Sequence, residues 1–413
     1  MAARNDDTRG DLREGSNGDD GRAAHPAAER LSGFGTSIFT EMTRLAIEHG
    51  AVNLGQGFPD FPAPEFIKQA AAAAIVADHN QYAPATGLPR LREAIARKFQ
   101  QRHGVLVDPE AEVTVTSGAT EAIFDTIVAL VNPGDEVVVF EPFYDSYLPA
   151  IQMAGGVPRV VTLRPPRWDF SPGELVRAFS ARTKLVILNT PHNPTGKVFS
   201  KVELDIIAAA AVQHDAIVLS DEVYSEITYG NAQHVPMASR PGMFERTITV
   251  DSLGKTFSVT GWKIGWAIAP PLLSRALRAV HQFVTFCSGT PMQVAAVNAL
   301  AFAEQHDVYA QLRAAYAERR ARLEGILTEA GLPVLPIAGA YFLLADFSGL
   351  PFADDVAFCR YLTKDVGVAA IPPSAFYADP RNAPRLVRFC FAKRESTLDA
   401  AAARLASLRL GTR

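Results

Sequence analysis

The sequence predicts an α/β fold, in which a mainly parallel, doubly wound sheet fills a large domain and a smaller α+β domain follows. Two observations indicate the sheet: short β-rich runs without polar alternation, and longer helical stretches between those runs. A third observation concerns the strand ends, because each run passes into a polar or glycine-containing turn. Sheets of this kind bind ligands beyond the carboxyl ends of their strands, so we expect these turns to form one site.

The β-rich runs alternate with helical stretches from Ala111 onward. The runs are "EVTVTSG", "DEVVVFEP", "KLVILNTP", "AIVLSDEVY" and "RTITVDSLGK". The helical stretches between them include "TEAIFDTIVALV" and "KVELDIIAAAAVQH". Strands that lack polar alternation are buried on both faces, and helices between them imply parallel crossover connections.

The pattern changes after about Pro291. A helical region rich in Ala, Arg and Leu leads to "AGAYFLLADFS", "GVAAIPPSAF", "RLVRFCFA" and a final amphipathic helix, which together predict an α+β domain. A chain of 413 residues is too long for one core, so we expect more than one domain. The predicted division is a tail at 1–29, an N-terminal segment at 30–62 that packs with the small domain, a large domain at 63–304 and a small domain at 305–413.

Composition narrows the classes of function. The hydrophobic content of 48% and the charged content of 20% are typical of a globular enzyme, and a net charge of −4 gives no indication of a nucleic-acid or membrane partner. Residues 1–29 contain almost no large apolar side chain, which predicts a mobile tail. The three cysteines are far apart, so neither a metal site nor a disulfide framework is expected. Without a long apolar run or a secretory signal, a cytoplasmic location is expected.

Lys255 is the first candidate site residue. It lies just past a buried strand in "SLGKTFSVTGWKIGW", with Ser252 and Gly254 before it and Lys263 downstream. A lone lysine in a loop is usually solvated, but burial and a neighbouring cation both lower a lysine pKa. A lysine amine whose pKa is lowered in this way is a nucleophile that forms a Schiff base.

Asp221 ends the run "AIVLSDEVY". A carboxylate at the end of a buried strand is costly unless it meets a cation or a hydrogen-bond donor, although a helix N-cap would also explain it. Tyr224 follows three residues later, and it belongs either to the Asp221 side of the site or to the core.

Other strand ends carry weaker signals. Asn193 in "NTPHNPTG" is either a turn residue or a ligand contact. "SGATEA" passes from a strand into a helix, whose first backbone N–H groups form an anion site. Tyr144 in "EPFYDSY" offers an aromatic face to a planar ligand or packs in the core. Arg388 in "RLVRFCFA" lies on a strand fit for burial, so it needs a carboxylate partner from the protein or from a substrate.

With these residues in place, the chain resembles the class I, fold-type I family of pyridoxal-phosphate-dependent aminotransferases. The resemblance runs from about Leu31 to the C-terminus and rests on five motifs in order: "NLGQGFPDF", "NQYAPATGLPRLREAI", "NTPHNPTG", "SDEVY" and "SLGKTFSVTGWKIGW". A finer similarity to bacterial methionine aminotransferases and kynurenine–oxoacid (glutamine) transaminases rests on "GQGFPDF", "TGWKIGW", "HQFVTF", "GVAAIPPSAF" and "VRFCFAKRESTL".

The resemblance implies a role for each residue around the cofactor ring. Lys255 is similar to the lysine that carries pyridoxal phosphate covalently and then moves a proton in the reaction. Asp221 is similar to the carboxylate on the pyridine nitrogen, which keeps that nitrogen protonated, and its pKa is expected to be lowered by this cation. Asn193 and Tyr224 match the pair on the ring hydroxyl, and Tyr144 matches the aromatic residue stacked on the ring.

The resemblance also implies contacts outside the ring. The positions that match the family's phosphate site are Gly118, Ala119, Thr120, Ser252 and Lys263. Many class I relatives have arginine in place of Lys263, whereas the kynurenine-type branch also uses lysine. Arg388 matches the arginine that binds the substrate α-carboxylate, helped by Gly57 and Asn193. Tyr82 is similar to the tyrosine that reaches the cofactor phosphate of the neighbouring subunit, which implies a homodimer.

The implied reaction is ping-pong transamination between an amino acid and a 2-oxo acid. No second arginine for a dicarboxylate is evident, so neutral donors are expected: methionine, phenylalanine, tyrosine, kynurenine or glutamine. Phe39, Tyr82 and Phe286 are pocket candidates that would serve equally as core residues. The alternatives are a succinyl-diaminopimelate aminotransferase, a β-lyase acting on sulfur amino acids, and an aminotransferase-like regulator. The last is disfavoured because the segment before Leu31 is too short for a helix-turn-helix.

Overall fold

The computed structural model describes residues 28–31, 34–35 and 37–408. The predicted tail at 1–29 therefore lies outside the described residues except for Ala28 and Glu29. The described residues fall into two units, with residues 28–31 and 34–35 in the first and residues 37–408 in the second. In the first unit, Glu29–Leu31 forms one 3₁₀ turn. The second unit contains all the other elements described here.

The second unit is built around a seven-stranded mixed sheet. Its strand order is β2-β8-β7-β6-β5-β3-β4, with bounds Val113–Thr116 (β2), Glu136–Glu141 (β3), Val157–Thr162 (β4), Thr183–Asn189 (β5), Ile217–Asp221 (β6), Thr247–Ser252 (β7) and Gly265–Ile268 (β8). The pairs from β7 through β6, β5 and β3 to β4 are parallel, whereas β8 runs antiparallel to both of its neighbours. The predicted fold class is confirmed.

All five predicted strand runs form strands of this sheet, and the sequence reasoning missed two others. The first, β4, lies at the sheet edge, where Val157 and Arg159 are exposed. An edge strand of this kind lacks the continuous apolar run that marks the central strands. The second, β8, is only four residues long and begins at Gly265 within "TGWKIGW", a motif that was interpreted only for its family resemblance.

Helices cover both faces of the sheet. The α-helices are Ile38–Glu48 (α1), Glu65–Val76 (α2), Pro89–His103 (α3), Ala119–Leu130 (α4), Tyr147–Met153 (α5), Pro172–Ala178 (α6), Lys201–Gln213 (α7), Leu253–Thr256 (α8), Pro271–Val284 (α9), Thr290–Gln305 (α10), Val308–Glu329 (α11), Asp355–Tyr361 (α12) and Glu395–Leu405 (α13). Alternate residues of β3 point to opposite faces. Val138 packs in one core with α6 and α7, while Val139 packs in another with α4, α5 and α9. This two-sided burial explains the non-alternating strand sequences.

The remaining strands form two small ladders. Val52–Asn53 (β1) pairs in parallel with Val368–Ala369 (β10), and Phe342–Asp346 (β9) pairs antiparallel with Leu386–Cys390 (β11). A further core joins these strands to α1, α11 and α13. Helix α10 packs against α2 and α3, on the large-domain side of the boundary predicted between residues 304 and 305. The domain boundaries themselves stay predictions.

No helix within the described part of the chain combines the length and the apolar character that crossing a membrane requires.

Candidate active site

The strand ends converge on one cavity of about 340 Å³. The predicted site residues that line it are Phe39, Gly57, Gly118, Ala119, Thr120, Tyr144, Asn193, Asp221, Tyr224, Ser252, Lys255, Lys263 and Arg388. Segments far apart in sequence meet here because parallel strands end at the same edge of the sheet.

Lys255 reaches the cavity from α8, the short helix that directly follows β7. Its Nζ donates to Tyr341 Oη at 3.0 Å and to the Gly57 carbonyl oxygen at 3.3 Å. Burial lowers the pKa of Lys255 to about 8, and the cations Arg388 and Lys263 act in the same direction. A pKa lowered in this way leaves far more of the amine neutral near neutral pH than an ordinary lysine pKa would. The amine is therefore available as a nucleophile or a base.

Asp221 is the last residue of β6, and it is buried. Its Oδ2 accepts a hydrogen bond from Tyr147 Oη at 2.6 Å, and its Oδ1 accepts one from the Val223 backbone N–H at 3.3 Å. Among the residues that the structure describes, no cation lies within ion-pair distance of this carboxylate. Burial raises the pKa of Asp221 to about 6, although both hydrogen bonds and Lys255 oppose the rise. The carboxylate accepts the hydrogen bond of a turn rather than capping a helix. It lines the cavity, so a cation bound there can reach it.

The anion site lies at the N-terminus of α4. Gly118 precedes the helix with a φ of 81°, and no side chain caps the first turn. A Cβ at Gly118 would lie 3.1 Å from Lys263 Nζ, which places the ammonium beside the free N–H groups of this turn. A Cβ at Gly265 would lie 2.5 Å from the Ala119 nitrogen, so only glycine lets β8 approach the helix end. Free N–H groups, the helix dipole and a lysine together favour a phosphate.

Arg388 lies on β11 with about 1% of its surface exposed. Its Nη1 donates to Asn193 Oδ1 at 2.9 Å and its Nη2 donates to the Gly55 carbonyl oxygen at 3.0 Å. Its Nε has no hydrogen-bond partner, and within the described ranges no carboxylate forms an ion pair with the guanidinium. The rings of Phe342, Phe376 and Phe39 lie 4.2, 5.0 and 5.3 Å from the guanidinium carbon, from centroid to carbon. The described residues therefore leave this buried cation without a directly paired anion.

The polar residues around the predicted ring position form a connected set. The Asn193 backbone N–H donates to Asn189 Oδ1 at 2.7 Å, and Asn189 Nδ2 donates to the Asp221 carbonyl oxygen at 2.9 Å. Tyr224 is buried, with its ring edge-on to that of Tyr341 at 5.1 Å. Burial raises the pKa of Tyr224 well above its ordinary value, so its hydroxyl stays protonated.

Tyr144 lines the same cavity. Its ring stands at 83° to that of Tyr147, with 5.7 Å between the centroids. Burial raises the pKa of Tyr144 to about 12. A neutral aromatic ring at the cavity wall suits a planar ligand.

Tyr82 and Phe286 lie apart from this cavity. They contact each other edge-on, with 5.3 Å between the ring centroids. The exposed fractions are 83% for Tyr82 and 42% for Phe286. The structure therefore does not bring either ring to the site of its own chain, and their roles stay predictions.

The sequence reasoning missed one residue that lines the cavity, Phe342, and two buried tyrosines that contact lining residues, Tyr147 and Tyr341. Tyr147, one helical turn after Tyr144 in "EPFYDSY", holds Asp221. Tyr341 in "AGAYFLLADFS" contacts Lys255, and Phe342 beside it faces Arg388. The argument from strand ends indicated the turn "EPFYDSY", but it did not indicate that Tyr147 in this turn would contact Asp221. Nothing local indicated the other two, because their partners come from distant segments.

A buried acidic group lies one turn behind the anion site. Glu121 Oε1 and His281 Nδ1 are 2.9 Å apart, and His281 Nε2 lies 2.8 Å from the Ala85 carbonyl oxygen. Asp125 Oδ2 is 3.8 Å from His281 Nδ1, and neither of its oxygens has a hydrogen-bond partner among the described residues. Glu121 and His281 satisfy each other, so this group connects α4 to α9 rather than facing the cavity.

Comparison with known proteins identifies the family. The model of the family described as aminotransferase class I and II matches residues 49–405. The chain is a member of this aminotransferase family. The sequence-based resemblance and the predicted enzyme class are confirmed.

Named aminotransferases are similar over nearly the whole chain. The methionine aminotransferase of Escherichia coli K12 is 45% identical over 379 residues, covering 92% of this chain and 97% of that protein. The Mycobacterium tuberculosis protein described as "Probable N-succinyldiaminopimelate aminotransferase DapC" is 46% identical, covering 92% and 98%. Human kynurenine–oxoglutarate transaminase 1 is 41% identical, covering 90% and 96%.

Solved aminotransferase structures share the fold. Escherichia coli YbdL, whose structure identified a methionine aminotransferase function, has a TM-score of 0.88 at 45% identity and covers 92% of this chain and 99% of that one. The Mycobacterium tuberculosis N-succinyldiaminopimelate aminotransferase also has a TM-score of 0.88, at 46% identity, and covers 92% and 100%.

Proposed function

We propose that this aminotransferase binds pyridoxal 5′-phosphate and transfers the amino group of a neutral L-amino acid to a 2-oxo acid by a ping-pong mechanism. The candidate donors are methionine, the aromatic amino acids, kynurenine and glutamine. One observation carries the proposal: Arg388 is a buried cation that forms no ion pair with a carboxylate of the described residues, and it shares a cavity with the low-pKa amine of Lys255. An amino acid supplies the missing carboxylate and brings its Cα near this amine.

The residues fit the proposed cofactor at both of its ends. The free N–H groups of Ala119 and Thr120, together with Lys263 and Ser252, suit its phosphate. Asp221, which has no cation partner among the described residues, suits a protonated ring nitrogen. Tyr144 would cover a face of the ring, and Asn193 and Tyr224 would meet its hydroxyl. When bound, the cofactor supplies an electron sink for the electron pair left when the substrate Cα–H bond breaks.

Lys255 would move the proton in this reaction. Its neutral form accepts the proton from the substrate Cα and returns it to a neighbouring carbon, so a pKa near the working pH favours both directions. Asp221 would remain an anion opposite the ring nitrogen, and the expected lowering of its pKa by that cation is a prediction. The hydroxyl of Tyr147 fixes the direction of this carboxylate.

Arg388 would bind the substrate α-carboxylate. Two of its N–H groups are held by Asn193 and Gly55, so the guanidinium is oriented before a substrate arrives. Preorganisation of this kind reduces the entropy that binding would otherwise cost.

The choice of a neutral side chain rests on the cavity's cations. The charged donors among its lining residues are Lys255, Lys263 and Arg388. The proposed chemistry uses all three, which leaves none for a second substrate carboxylate. Phe39, Phe58 and Phe342 instead offer apolar surface.

Succinyl-diaminopimelate is the second candidate donor. It is favoured by the 46% identity to the Mycobacterium tuberculosis protein described as DapC. Its distal carboxylates would need a cation from outside the lining residues. A homodimer, in which Tyr82 reaches the neighbouring cofactor phosphate, would add residues from a second chain. The exposure of Tyr82 is compatible with this arrangement. A cytoplasmic location is part of the same proposal.

A donor-by-acceptor panel tests the function. Purified, cofactor-loaded protein is assayed with each neutral donor and with succinyl-diaminopimelate, against several 2-oxo acids. Methionine or phenylalanine alone should change the visible absorbance of the bound cofactor, and an added oxo acid should restore it. A preference for succinyl-diaminopimelate would select the second candidate. Release of ammonia and pyruvate from a cysteine conjugate, without an acceptor, would indicate a β-lyase instead.

A further inference from the structure

Tyr341, Gly57 and Lys255 form a closed set of three hydrogen bonds. Tyr341 Oη donates to the Gly57 carbonyl oxygen at 2.6 Å. Lys255 Nζ donates to Tyr341 Oη at 3.0 Å and to the same carbonyl oxygen at 3.3 Å. A phenol has one proton, and a carbonyl oxygen only accepts. Because that proton is used on Gly57, the Tyr341 oxygen can only accept from Lys255.

This arrangement determines where the Lys255 lone pair points. A neutral amine has two N–H bonds and one lone pair. The three distances place both oxygens on one side of Nζ, about 50° apart as seen from that atom, so the N–H bonds turn toward this side and the lone pair turns away from it. We propose that Tyr341 is a positioning residue that, with the Gly57 carbonyl, keeps the N–H side of neutral Lys255 turned toward these two oxygens and leaves its lone pair free for the substrate Cα proton. This inference rests on the proposed function, in which Lys255 is the base.

The Tyr341 hydroxyl is held firmly in this position. The side chain is fully buried, immediately before β9, and its backbone carbonyl accepts from the Phe391 N–H at 3.1 Å. Its ring packs against Tyr224 at 5.1 Å and against Tyr316 at 5.8 Å, between centroids. A hydroxyl on a packed ring loses little entropy when it orders the flexible Lys255 chain.

Gly57 is equally constrained. A Cβ at this position would lie 3.0 Å from the Phe342 ring, so the loop passes close to the residue that follows Tyr341. The loop and the strand are therefore held together by one short hydrogen bond and one tight backbone contact. The amine of Lys255 donates hydrogen bonds to the loop at Gly57 and to Tyr341 beside the strand.

The test compares Tyr341→Phe with Tyr316→Phe. The first variant removes only the hydroxyl that Lys255 contacts. The second removes a buried hydroxyl from the same aromatic cluster, one that makes no hydrogen bond to a described residue. The first measurement is the pH dependence of the rate at which cofactor-free protein combines with pyridoxal phosphate, which follows the fraction of neutral Lys255.

An acceptor favours the ammonium over the neutral amine, so its loss should lower the midpoint of that pH profile by about half to one pH unit in Tyr341→Phe. The second measurement is the single-turnover rate with methionine carrying deuterium at Cα. Tyr341→Phe should react about tenfold more slowly than wild type, with a larger isotope effect and unchanged apparent affinity for methionine. Tyr316→Phe should match wild type in all of these.

A fluorotyrosine at position 341 keeps the packing and the hydroxyl but weakens the acceptor, so it should give an intermediate midpoint and rate. Equal behaviour of the two phenylalanine variants, or an unchanged midpoint in both Tyr341→Phe and the fluorotyrosine protein, would overturn the role of Tyr341. Failure of the proposed function would look different, because the wild-type protein itself would then react with no amino acid.

Discussion

The surroundings of Arg388 compensate its buried positive charge only in part. A guanidinium that is about 1% exposed, with an unpartnered Nε, keeps its charge only at a cost in desolvation. Hydrogen bonds to Asn193 and Gly55 and the three neighbouring phenylalanine rings offset part of that cost. A bidentate carboxylate would offset the rest.

Replacement of Arg388 by glutamine should therefore weaken amino-acid binding about thirtyfold or more. The lost charge-assisted pair corresponds to about 2–5 kcal/mol. The measurement is the methionine concentration that half-saturates the cofactor absorbance change, with Arg360→Gln as the control. Arg360 is exposed and pairs with Glu41, so its loss should leave that concentration unchanged. Normal methionine binding by Arg388→Gln would disprove the carboxylate site.

Lys255→Ala should block the change in cofactor absorbance that methionine causes, because the chain then has no base at this point. Cofactor binding should persist, since the α4 N-terminus and Lys263 remain. Equilibrium dialysis measures the binding, and borohydride reduction followed by peptide mass analysis should find the cofactor on Lys255 in wild type only. Turnover at the wild-type rate would refute the role assigned to this lysine.

At the scale of elements, the approach of β8 to the start of α4 decides whether the anion site exists. Gly118 adopts a φ of 81°, and a Cβ on Gly265 would lie 2.5 Å from backbone atoms of the helix start. Two glycines on different elements therefore create one cradle of free N–H groups.

Gly265→Ala should move β8 away from α4 and weaken cofactor binding about tenfold or more, measured as the dissociation constant for pyridoxal phosphate. Gly325→Ala is the matched control. Gly325 lies inside α11, where a Cβ would meet nothing within 4 Å. This control should keep cofactor affinity and gain about 0.5–1 kcal/mol of stability, because alanine favours a helix. Full affinity in Gly265→Ala would contradict the close-approach argument.

The same element scale shows what could be predicted from sequence and what could not. Five strands and the turns after them were predicted because buried strands leave continuous apolar runs, and this placed Asp221, Asn193 and Lys255 at one edge. Strand β4 was missed because an exposed edge interrupts its apolar pattern. Tyr341 was missed because its partners Gly57 and Lys255 are 284 and 86 residues away. Contacts of that range leave no local pattern.

At the scale of the whole molecule, one buried acid should make stability depend on pH. Burial raises the pKa of Asp125 to about 7, with Glu121 acting in the same direction and His281 opposing it. A raised folded-state pKa contributes stability in acid, and that contribution is lost as pH rises through the folded-state value. The loss should accumulate between about pH 4 and about pH 7.

Asp125→Asn cannot ionise, so its melting temperature should exceed that of wild type by an amount that grows from about pH 4 to pH 7 and then levels off. Thermal unfolding across this range measures the difference. Asp365→Asn, at an exposed position, is the control and should follow wild type at every pH. A constant difference across the range for Asp125→Asn would show that the side chain does not change its protonation on folding.

The antiparallel pair β9–β11 has a consequence for how the molecule handles its substrate. Tyr341 precedes β9 and Arg388 lies on β11 opposite Leu344, so one small ribbon carries both the amine holder and the proposed carboxylate anchor. Asp221 ends β6 of the large sheet, and Lys255 lies on α8, which directly follows β7 of that sheet. A hinge between ribbon and sheet would therefore move the Arg388 guanidinium and the Tyr341 hydroxyl together, at a fixed spacing, relative to Asp221.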